Sequence, residues 1–191
     1  MSHMRLTLSI LAAAAILSAC SSTTAPVRPA NAMPSYDAAT QNPFIASGRA
    51  AVDEVVRGFD LEQLGQAPVL VATVVNVNDL SRSAPLGRTL SEIYASQLAN
   101  KGFNVKELKL RGDVYVKEGA GELLLSREIR DIAQNHNAGL VLVGTYSQAA
   151  QYTYVSLKLV RTADSRIVRS YDYALPNDRD VQRLLNSGAG Y

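Results

Sequence analysis

The chain has 191 residues, of which 47% are hydrophobic and 19% are charged. This composition excludes a wholly disordered or collagen-like chain, and the length suggests a single domain with a tail. The formal net charge of +2 gives no electrostatic case for binding nucleic acid. One cysteine and two histidines exclude an intrachain disulfide, a cysteine-based zinc cluster and a histidine-rich metal site.

Residues 1–19 have the pattern of a secretory signal peptide. Arg5 provides a positive start, residues 6–17 form an apolar run of 12 residues, and the small residues Ser18 and Ala19 follow. The run is shorter than the roughly 20 apolar residues that span a bilayer. The pattern therefore predicts an exported protein whose signal is cleaved near Ala19, and not a permanent transmembrane helix.

The sequence Leu17-Ser18-Ala19-Cys20 resembles a bacterial lipobox. This resemblance implies cleavage between Ala19 and Cys20, a diacylglycerol on the Cys20 sulfur and a fatty acid such as palmitate on the new amine. Two or more acyl chains anchor a protein stably to a membrane. Ser21 stands where an aspartate would be, and by the same resemblance this implies sorting to the outer membrane. The alternative is a plain signal peptide that leaves Cys20 as a free thiol.

The mature chain divides by composition into three parts. Residues 20–43 are rich in Ser, Thr, Ala, Asn and Pro without an apolar period, which predicts a flexible lipidated tether. Such a tether reaches about 25–30 Å from its anchor. Residues 44–186 can form a core, and residues 187–191 form a loose tail.

Apolar periodicity predicts the secondary structure of residues 44–186. An unbroken apolar run indicates a strand that is buried on both faces, whereas strict alternation indicates a strand with one wet face. The expected helices are 45–64, 85–101, a helix from 123 or 126 to His136, and a short closing helix around 181–185. The expected strands are 69–75, 105–110, 114–116, 140–143 and a hairpin of 152–162 with 167–174.

This order of elements indicates an α/β fold. We expect a single domain with a mixed β-sheet covered by helices on one face, and with an antiparallel hairpin at its C-terminal end. His136 is predicted on the apolar side of its helix, where a capping or core-edge role is preferred over a catalytic one. Gly119-Ala120-Gly121 lacks the remainder of a nucleotide-binding loop, so a simple turn is favoured.

The tyrosines are the candidate interaction residues that the composition itself suggests. Nine tyrosines and no tryptophan are present, and the tyrosines concentrate toward the C-terminal half of the chain. Tyrosine on an exposed sheet face is a good interface residue, but it also simply favours β-strands. Both interpretations stay open for Tyr146, Tyr152, Tyr154, Tyr171 and Tyr173.

Several blocks of the sequence together resemble the FlgO-like outer-membrane lipoproteins. The blocks keep their order and spacing over residues 45–175, and they are 78–80, 83–88, 102–105, 108–113, 119–127 and 143–146. The resemblance implies an α/β fold like the TolB N-terminal domain and the periplasmic domains of LpoB, PelC and CsgG. It also implies an outer-membrane lipoprotein, linked in some members to the flagellum and motility.

The resemblance implies no catalytic residue. The matching blocks contain five candidate residues for an interaction site or for structural turns and caps, namely Arg88, Arg111, Asp113, Arg127 and Tyr146. The resulting hypothesis is a non-enzymatic outer-membrane lipoprotein that binds membrane lipid through Cys20 and docks an envelope or flagellar protein from the periplasmic side. No cofactor, metal or nucleic acid is expected, and homo-oligomerisation stays open. The alternatives are an activator of a cell-wall synthase and a ring-forming export or assembly component.

Overall fold

A mixed β-sheet runs through the part of the chain that the computed structural model describes, which is residues 34–65, 67–80, 83–108 and 131–186. The strand order is β3-β1-β4-β5-β6, and the short strand β2 also pairs with β4. Strands β3, β1 and β4 are parallel, whereas β4, β5 and β6 are antiparallel. The strands are β1 Val69–Ala72, β2 Val75–Asn76, β3 Val105–Leu108, β4 Leu140–Gln148, β5 Tyr152–Arg161 and β6 Arg166–Pro176.

The helices lie on both sides of this sheet. They are α1 Tyr36–Thr40, α2 Pro43–Val55, α3 Leu61–Leu64, α4 Pro85–Asn100, α5 at residues 131–136 and α6 Arg179–Asn186. The mixed α/β fold and the C-terminal antiparallel hairpin, both predicted from the sequence, are confirmed. The expected strand 114–116 and the start of the helix that ends near His136 lie outside the described residues.

Strands β1 and β4 are buried on both faces, as their unbroken apolar runs predict. Alternate residues enter two different cores, so that Val69 and Val71 belong to one and Leu70 to the other. The first core lies between the sheet and helices α2, α4 and α6. The second core is smaller, and it includes Ala133 of α5. The expectation that helices cover only one face is therefore wrong, because the apolar second face of β1 and β4 also needs cover.

Helix α4 begins and ends where its sequence predicts. Pro85 occupies the first turn, where its missing N–H costs nothing, and Gly102 follows the helix with a φ of 89°. Helix α2 packs beside α4, and the Asp53 carboxylate of α2 accepts a hydrogen bond of 2.7 Å from Gln97 Nε2. Lys101 Nζ lies 3.0 Å from the same oxygen. The hydrogen bond from Gln97, with a smaller contribution from Lys101, lowers the pKa of Asp53.

The predicted helix 45–64 is wrong in its extent, because α2 ends at Val55 and α3 begins at Leu61. Gly58 has a φ of 66°, which turns the chain out of the helix, and the Asp60 carboxylate then caps α3 by accepting the N–H of Glu62 at 2.9 Å. The turn also brings Phe59 against Phe103, with ring centroids 6.1 Å apart. The apolar periodicity of the sequence extends beyond the end of α2 because Phe59, although it lies in the turn, still packs on the first core.

The predicted strand 69–75 is likewise interrupted after Ala72. The N–H of Val74 donates to Ser91 Oγ at 2.8 Å, and its carbonyl accepts from Ser83 Oγ at 2.8 Å. The hydroxyl groups of Ser83 and Ser91, which lie outside the sheet, thus bind the backbone of Val74 in place of a neighbouring strand. Strand β4 is longer than its predicted apolar run, and His136 is exposed instead of facing the apolar side of α5.

The described end of the predicted tether contains the short helix α1. Ser35 caps this helix by accepting the N–H of Ala38 at 3.2 Å, and no residue of α1 is buried. Tyr36 is 93% exposed. Helix α1 therefore contributes nothing to either core, and the boundaries 1–19, 20–43, 44–186 and 187–191 stay predictions.

Candidate interaction surface

Only two of the candidate residues that the family resemblance suggested lie in the described part of the chain. These are Arg88 at the start of α4 and Tyr146 on β4. The candidates Arg111, Asp113 and Arg127 lie outside the described residues, as do the signal-cleavage residue Ala19 and the lipid-attachment residue Cys20.

Arg88 and Tyr146 act on the same peptide group. The carbonyl of Ser83 accepts a hydrogen bond of 3.0 Å from Arg88 Nη1, and the N–H of Ala84 donates to the Tyr146 hydroxyl at 3.0 Å. The Tyr146 side chain is buried, and its backbone carbonyl accepts the N–H of Val77 at 2.9 Å. The pair therefore holds both ends of the loop between β2 and α4, which is the structural turn-and-cap role.

Two of the remaining tyrosines lie in the first core. Tyr171 and Tyr173 share one face of β6, as predicted, and their rings are stacked with centroids 6.3 Å apart. The Tyr173 hydroxyl meets the hydroxyl of the buried Tyr94 at 2.5 Å. Burial raises the pKa of Tyr94 well above its usual range and raises the pKa of Tyr173 to about 12. Through this contact Tyr173 holds α4 against the sheet.

Tyr152 and Tyr154 point to the opposite side of the sheet and are exposed. Their exposed fractions are 44% and 55%, whereas Val155, Leu157 and Leu159 on the other face of the strand are buried. This confirms the alternation predicted for the strand. The cause is the period of two residues in an extended chain, which places neighbouring side chains on opposite faces.

A groove of about 450 Å³ lies beside Tyr154 at this end of the sheet. Strand pairing builds it, because Thr145 lies opposite Ser156, and Ser156 lies opposite Asp172. We call this surface the tyrosine face, defined by its exposed tyrosines and the groove residues of β4, β5, β6 and the turn after β2: Tyr152, Tyr154, Val77, Thr145, Ser147, Ser156 and Asp172. An aromatic ring, hydroxyl groups and one carboxylate can together recognise a partner by stacking and hydrogen bonding.

Sequence reasoning identified only part of this surface. The alternating pattern of β5 indicated Tyr154 and Ser156, but no pattern connected them with Thr145 or Asp172. Those residues join the surface through the register of the two antiparallel pairs, which local periodicity does not specify.

Within the described ranges, no group of three or more His, Cys, Asp or Glu side chains could hold a metal ion. A search of the same ranges found no helix with both the length and the apolar character needed to cross a membrane.

Comparison with protein families identifies the family of this chain. The model described as FlgO protein matches residues 49–180, which is more than half of the chain. No curated protein sequence matches the chain.

Solved structures that resemble this fold come from several bacterial proteins. The LpoB C-terminal domain from Escherichia coli has a TM-score of 0.49 and 17% identity, and the match covers 69% of this chain and 97% of that one. Lipoprotein GNA1162 from Neisseria meningitidis has a TM-score of 0.42 and 15% identity, with coverages of 65% and 97%. The PelC dodecamer from Paraburkholderia phytofirmans has a TM-score of 0.42 and 16% identity, with coverages of 57% and 70%.

Proposed function

Because this chain belongs to the FlgO family, we propose that it is a lipid-anchored outer-membrane protein whose folded domain docks an envelope protein, specifically a component of the flagellum. The anchor is the acylated Cys20, and the segment between Cys20 and α2 is the tether. The mechanism is binding without catalysis. Holding a partner within the reach of a short tether raises the effective concentration of the two proteins for each other.

The tyrosine face is the observation that carries this proposal. Two large aromatic side chains are exposed side by side on a strand that pairs on both of its edges. Tyrosine is enriched at the energetically important centres of protein interfaces, because its ring buries a large area at little cost in conformational entropy. The surrounding hydroxyl groups and Asp172 supply the hydrogen bonds that give such a contact its orientation.

The test is to replace Tyr152 and Tyr154 with alanine in the native host and to measure swimming and the number of flagella. We expect motility to fall while the amount of protein in the outer membrane stays constant, because both side chains are exposed and their removal should not unfold the domain. Losing a central interface tyrosine typically costs about 2 kcal/mol or more of binding free energy.

Tyr36→Ala is the matched control, since Tyr36 is an exposed tyrosine of α1 that does not belong to the tyrosine face. It should leave motility unchanged. Normal motility in the double variant would show that the tyrosine face does not serve the flagellum. A defect in cell-wall growth would then favour the synthase-activator alternative, and a large oligomer in detergent would favour the ring-forming one.

A further inference from the structure

Strand β6 forms one edge of the sheet. Within the described part of the chain it pairs with β5 alone, so its outer side presents backbone N–H and C=O groups to other chains. β6 has 11 residues, whereas β3 at the opposite edge has four. Very short edge strands resist pairing with another chain, and long ones provide a template for it. The outer edge of β6 is therefore the place where the sheet can add a strand from another molecule.

The hydrogen bonds of the hairpin show which backbone groups of β6 point outward. The N–H of Asn177 donates to the carbonyl of Gln151 at 2.8 Å, and in an antiparallel pair such hydrogen-bonded positions alternate with positions that are not bonded to each other. Counted in steps of two along the register, the β6 residues that bond to β5 are Leu175, Tyr173, Tyr171 and Arg169. The residues between them direct their N–H and C=O groups outward, and they are Ser170, Asp172 and Ala174.

Both ends of this outer edge are irregular. The register of β5 with β6 shifts between Leu159 and Val160, which leaves Val168 as an extra residue of β6. At the other end, Pro176 has no N–H to donate. A second strand can therefore pair regularly only along the segment between these two irregularities.

Symmetry restricts how two copies of β6 can pair. In a continuous antiparallel sheet, opposite residues point to the same face. Because neighbouring residues of one strand point to opposite faces, the two-fold axis must pass through a residue and not between two residues. An axis at Arg169 or at Asp172 would place two like charges opposite one another, and like charges in that position destabilise a sheet. These two registers are therefore disfavoured.

An axis at Tyr171 fits the outer edge best. It places Ser170 of each copy opposite Asp172 of the other, and both are regular hydrogen-bonded pairs in which an exposed hydroxyl can donate to an exposed carboxylate. An axis at Ser170 keeps only one regular pair, because it brings the bulge opposite Asp172. An axis at Tyr173 places Asp172 opposite Ala174, whose side chain offers no donor. The segment 170–172 is thus complementary to itself.

From this complementarity we propose that two copies of the chain dimerise by antiparallel pairing of β6 with β6 about a two-fold axis at Tyr171. The two sheets then form one continuous sheet. Because Tyr154 lies opposite Ala174, its side chain shares a face with Asp172, and an axis perpendicular to the sheet keeps both copies of this face on the same side. The dimer therefore presents two tyrosine faces, which raises the avidity for a partner with two sites. The pairing itself does not depend on what the tyrosine face binds.

A contact confined to one strand of each copy belongs to the small and reversible class of interface. We therefore expect a dimer that forms and dissociates with protein concentration. Sedimentation equilibrium of the full chain in a density-matched detergent measures this association directly. The urea midpoint of unfolding, measured on the same samples, reports separately on the stability of the fold.

Opposite charges placed at Ser170 should change dimerisation in opposite directions. Ser170→Asp would set two carboxylates opposite one another at each pair, and it should weaken dimerisation at least about tenfold. Ser170→Lys would set an ammonium group opposite Asp172 and should strengthen dimerisation. Lys158 lies opposite Ser170 on β5, so within one chain Ser170→Asp favours the fold and Ser170→Lys disfavours it. A loss of dimer that merely followed unfolding would have the reverse order.

Gln134→Asp and Gln134→Lys are the matched controls. Gln134 is an exposed polar residue of α5 and not of β6, and it receives the same changes of charge. Both variants should leave dimerisation unchanged, because a change in net charge alone does not alter the pairing of the strands.

Cysteine cross-linking tests the register. Protein with Ser170→Cys, mixed with differently tagged protein that has Asp172→Cys, should form a disulfide-linked heterodimer on mild oxidation. Opposite residues of a hydrogen-bonded pair lie about 5.5 Å apart at Cα, which a disulfide can bridge. Each variant alone should cross-link more slowly, since two copies of the same position lie on a diagonal of about 7–8 Å. The wild-type protein, oxidised in parallel, accounts for Cys20.

The proposal fails if the chain stays monomeric at every concentration. It also fails if dimerisation ignores the charge at Ser170 or responds as strongly to the charge at Gln134, because the contact would then lie elsewhere. Equal or faster cross-linking of Ser170→Cys with itself would place the axis at Ser170 and overturn the register. An assembly larger than a dimer that ignores all these variants would favour the ring-forming alternative instead.

Discussion

The contact between the hydroxyl groups of Tyr94 and Tyr173 joins α4 to the edge strand β6 inside the first core. Both groups are buried, and each is the hydrogen-bond partner of the other at 2.5 Å. A buried hydroxyl that lacks a partner costs about 1–3 kcal/mol. Loss of one hydroxyl group therefore destabilises the fold mainly because the other hydroxyl group stays buried without a partner, and less because the hydrogen bond itself is lost.

The first prediction concerns the stability of the protein at alkaline pH. Burial raises the pKa of Tyr173 to about 12, and it also raises the pKa of Tyr94 well above the usual value near 10 of an unfolded chain. The unfolded chain thus loses protons that the folded chain keeps, and stability falls as the pH rises. We expect a constant free energy of unfolding below about pH 9 and a progressive loss above about pH 10, measured by urea unfolding across this range.

Variants of this tyrosine pair separate the contribution of the hydrogen bond at neutral pH from the loss of stability at alkaline pH. Tyr173→Phe should cost about 1–3 kcal/mol at neutral pH, since it leaves the Tyr94 hydroxyl buried alone, and it should reduce the alkaline loss. The double variant with phenylalanine at both positions should be closer to the wild type than Tyr173→Phe is. An alkaline loss of the same size in the double variant would assign the effect to other groups.

Among single residues, Arg88 and Tyr146 show what a family resemblance does and does not reveal. The resemblance indicated that these positions matter, but it left a binding role and a structural role open. In the structure both side chains bind the Ser83–Ala84 peptide group, which gives each of them a structural contact. The sequence separation of 62 residues between Ala84 and Tyr146 explains why no local pattern could show this.

At the scale of elements, the start of α4 is held unusually close to the end of the first strand. A Cβ atom added to Gly87 would lie 2.0 Å from the Val74 carbonyl oxygen and 2.5 Å from Ser83 Oγ. The absence of a side chain at Gly87 thus permits this approach, and Ser91 of the same helix binds the N–H of Val74. The helix replaces a sheet partner at the point where β1 ends.

The second prediction follows from this approach. Gly87→Ala should destabilise the fold by about 3 kcal/mol, because backbone atoms must move to admit the methyl group. Gly48→Ala is the matched control within α2. Its Cβ would meet the Ile93 Cγ2 methyl group at 3.0 Å, a contact that a shift of a few tenths of an ångström relieves, and alanine favours a helix by about 1 kcal/mol over glycine. Urea unfolding should place Gly48→Ala close to the wild type, and equal losses in both variants would contradict the argument.

At the scale of the whole molecule, the direction of α2 decides at which end of the sheet the chain enters the domain. Helix α2 runs parallel to α4, since Gly48 lies near Ile93 and Asp53 binds Gln97. The N-terminus of α2 is therefore at the end of the sheet where α4 begins, on the side of the first core. A chain that arrives from Cys20 enters the domain at this end, on the opposite side of the sheet from Tyr154.

The third prediction concerns the anchor. Cys20→Ser should move the protein from the outer-membrane fraction to the soluble periplasmic fraction and abolish incorporation of labelled palmitate, because the sulfur that we propose carries the diacylglycerol is lost. Two or more acyl chains hold a protein stably at a membrane, whereas none leaves it free. Ser22→Ala is the neighbouring control and should remain in the membrane. If Cys20→Ser also stayed in the membrane, another attachment would have to be sought.

Local patterns in the sequence by themselves determined where α4 begins and ends, the burial of β1 and β4 on both faces, and the alternation of β5. These features depend on near neighbours along the chain, so proline, glycine and periodicity are sufficient to predict them. The lipobox pattern at Cys20 is local in the same sense, and it remains a prediction.

Tertiary structure alone decided which residues form surfaces. The register of β4, β5 and β6 brings Thr145, Tyr154 and Asp172 together, and a bulge between Leu159 and Val160 shifts the pairing of β5 with β6. The cover that α5 provides on the second face also depends on packing between distant segments. A pattern of neighbouring residues cannot specify such features, because register and bulges are set by contacts across the whole sheet.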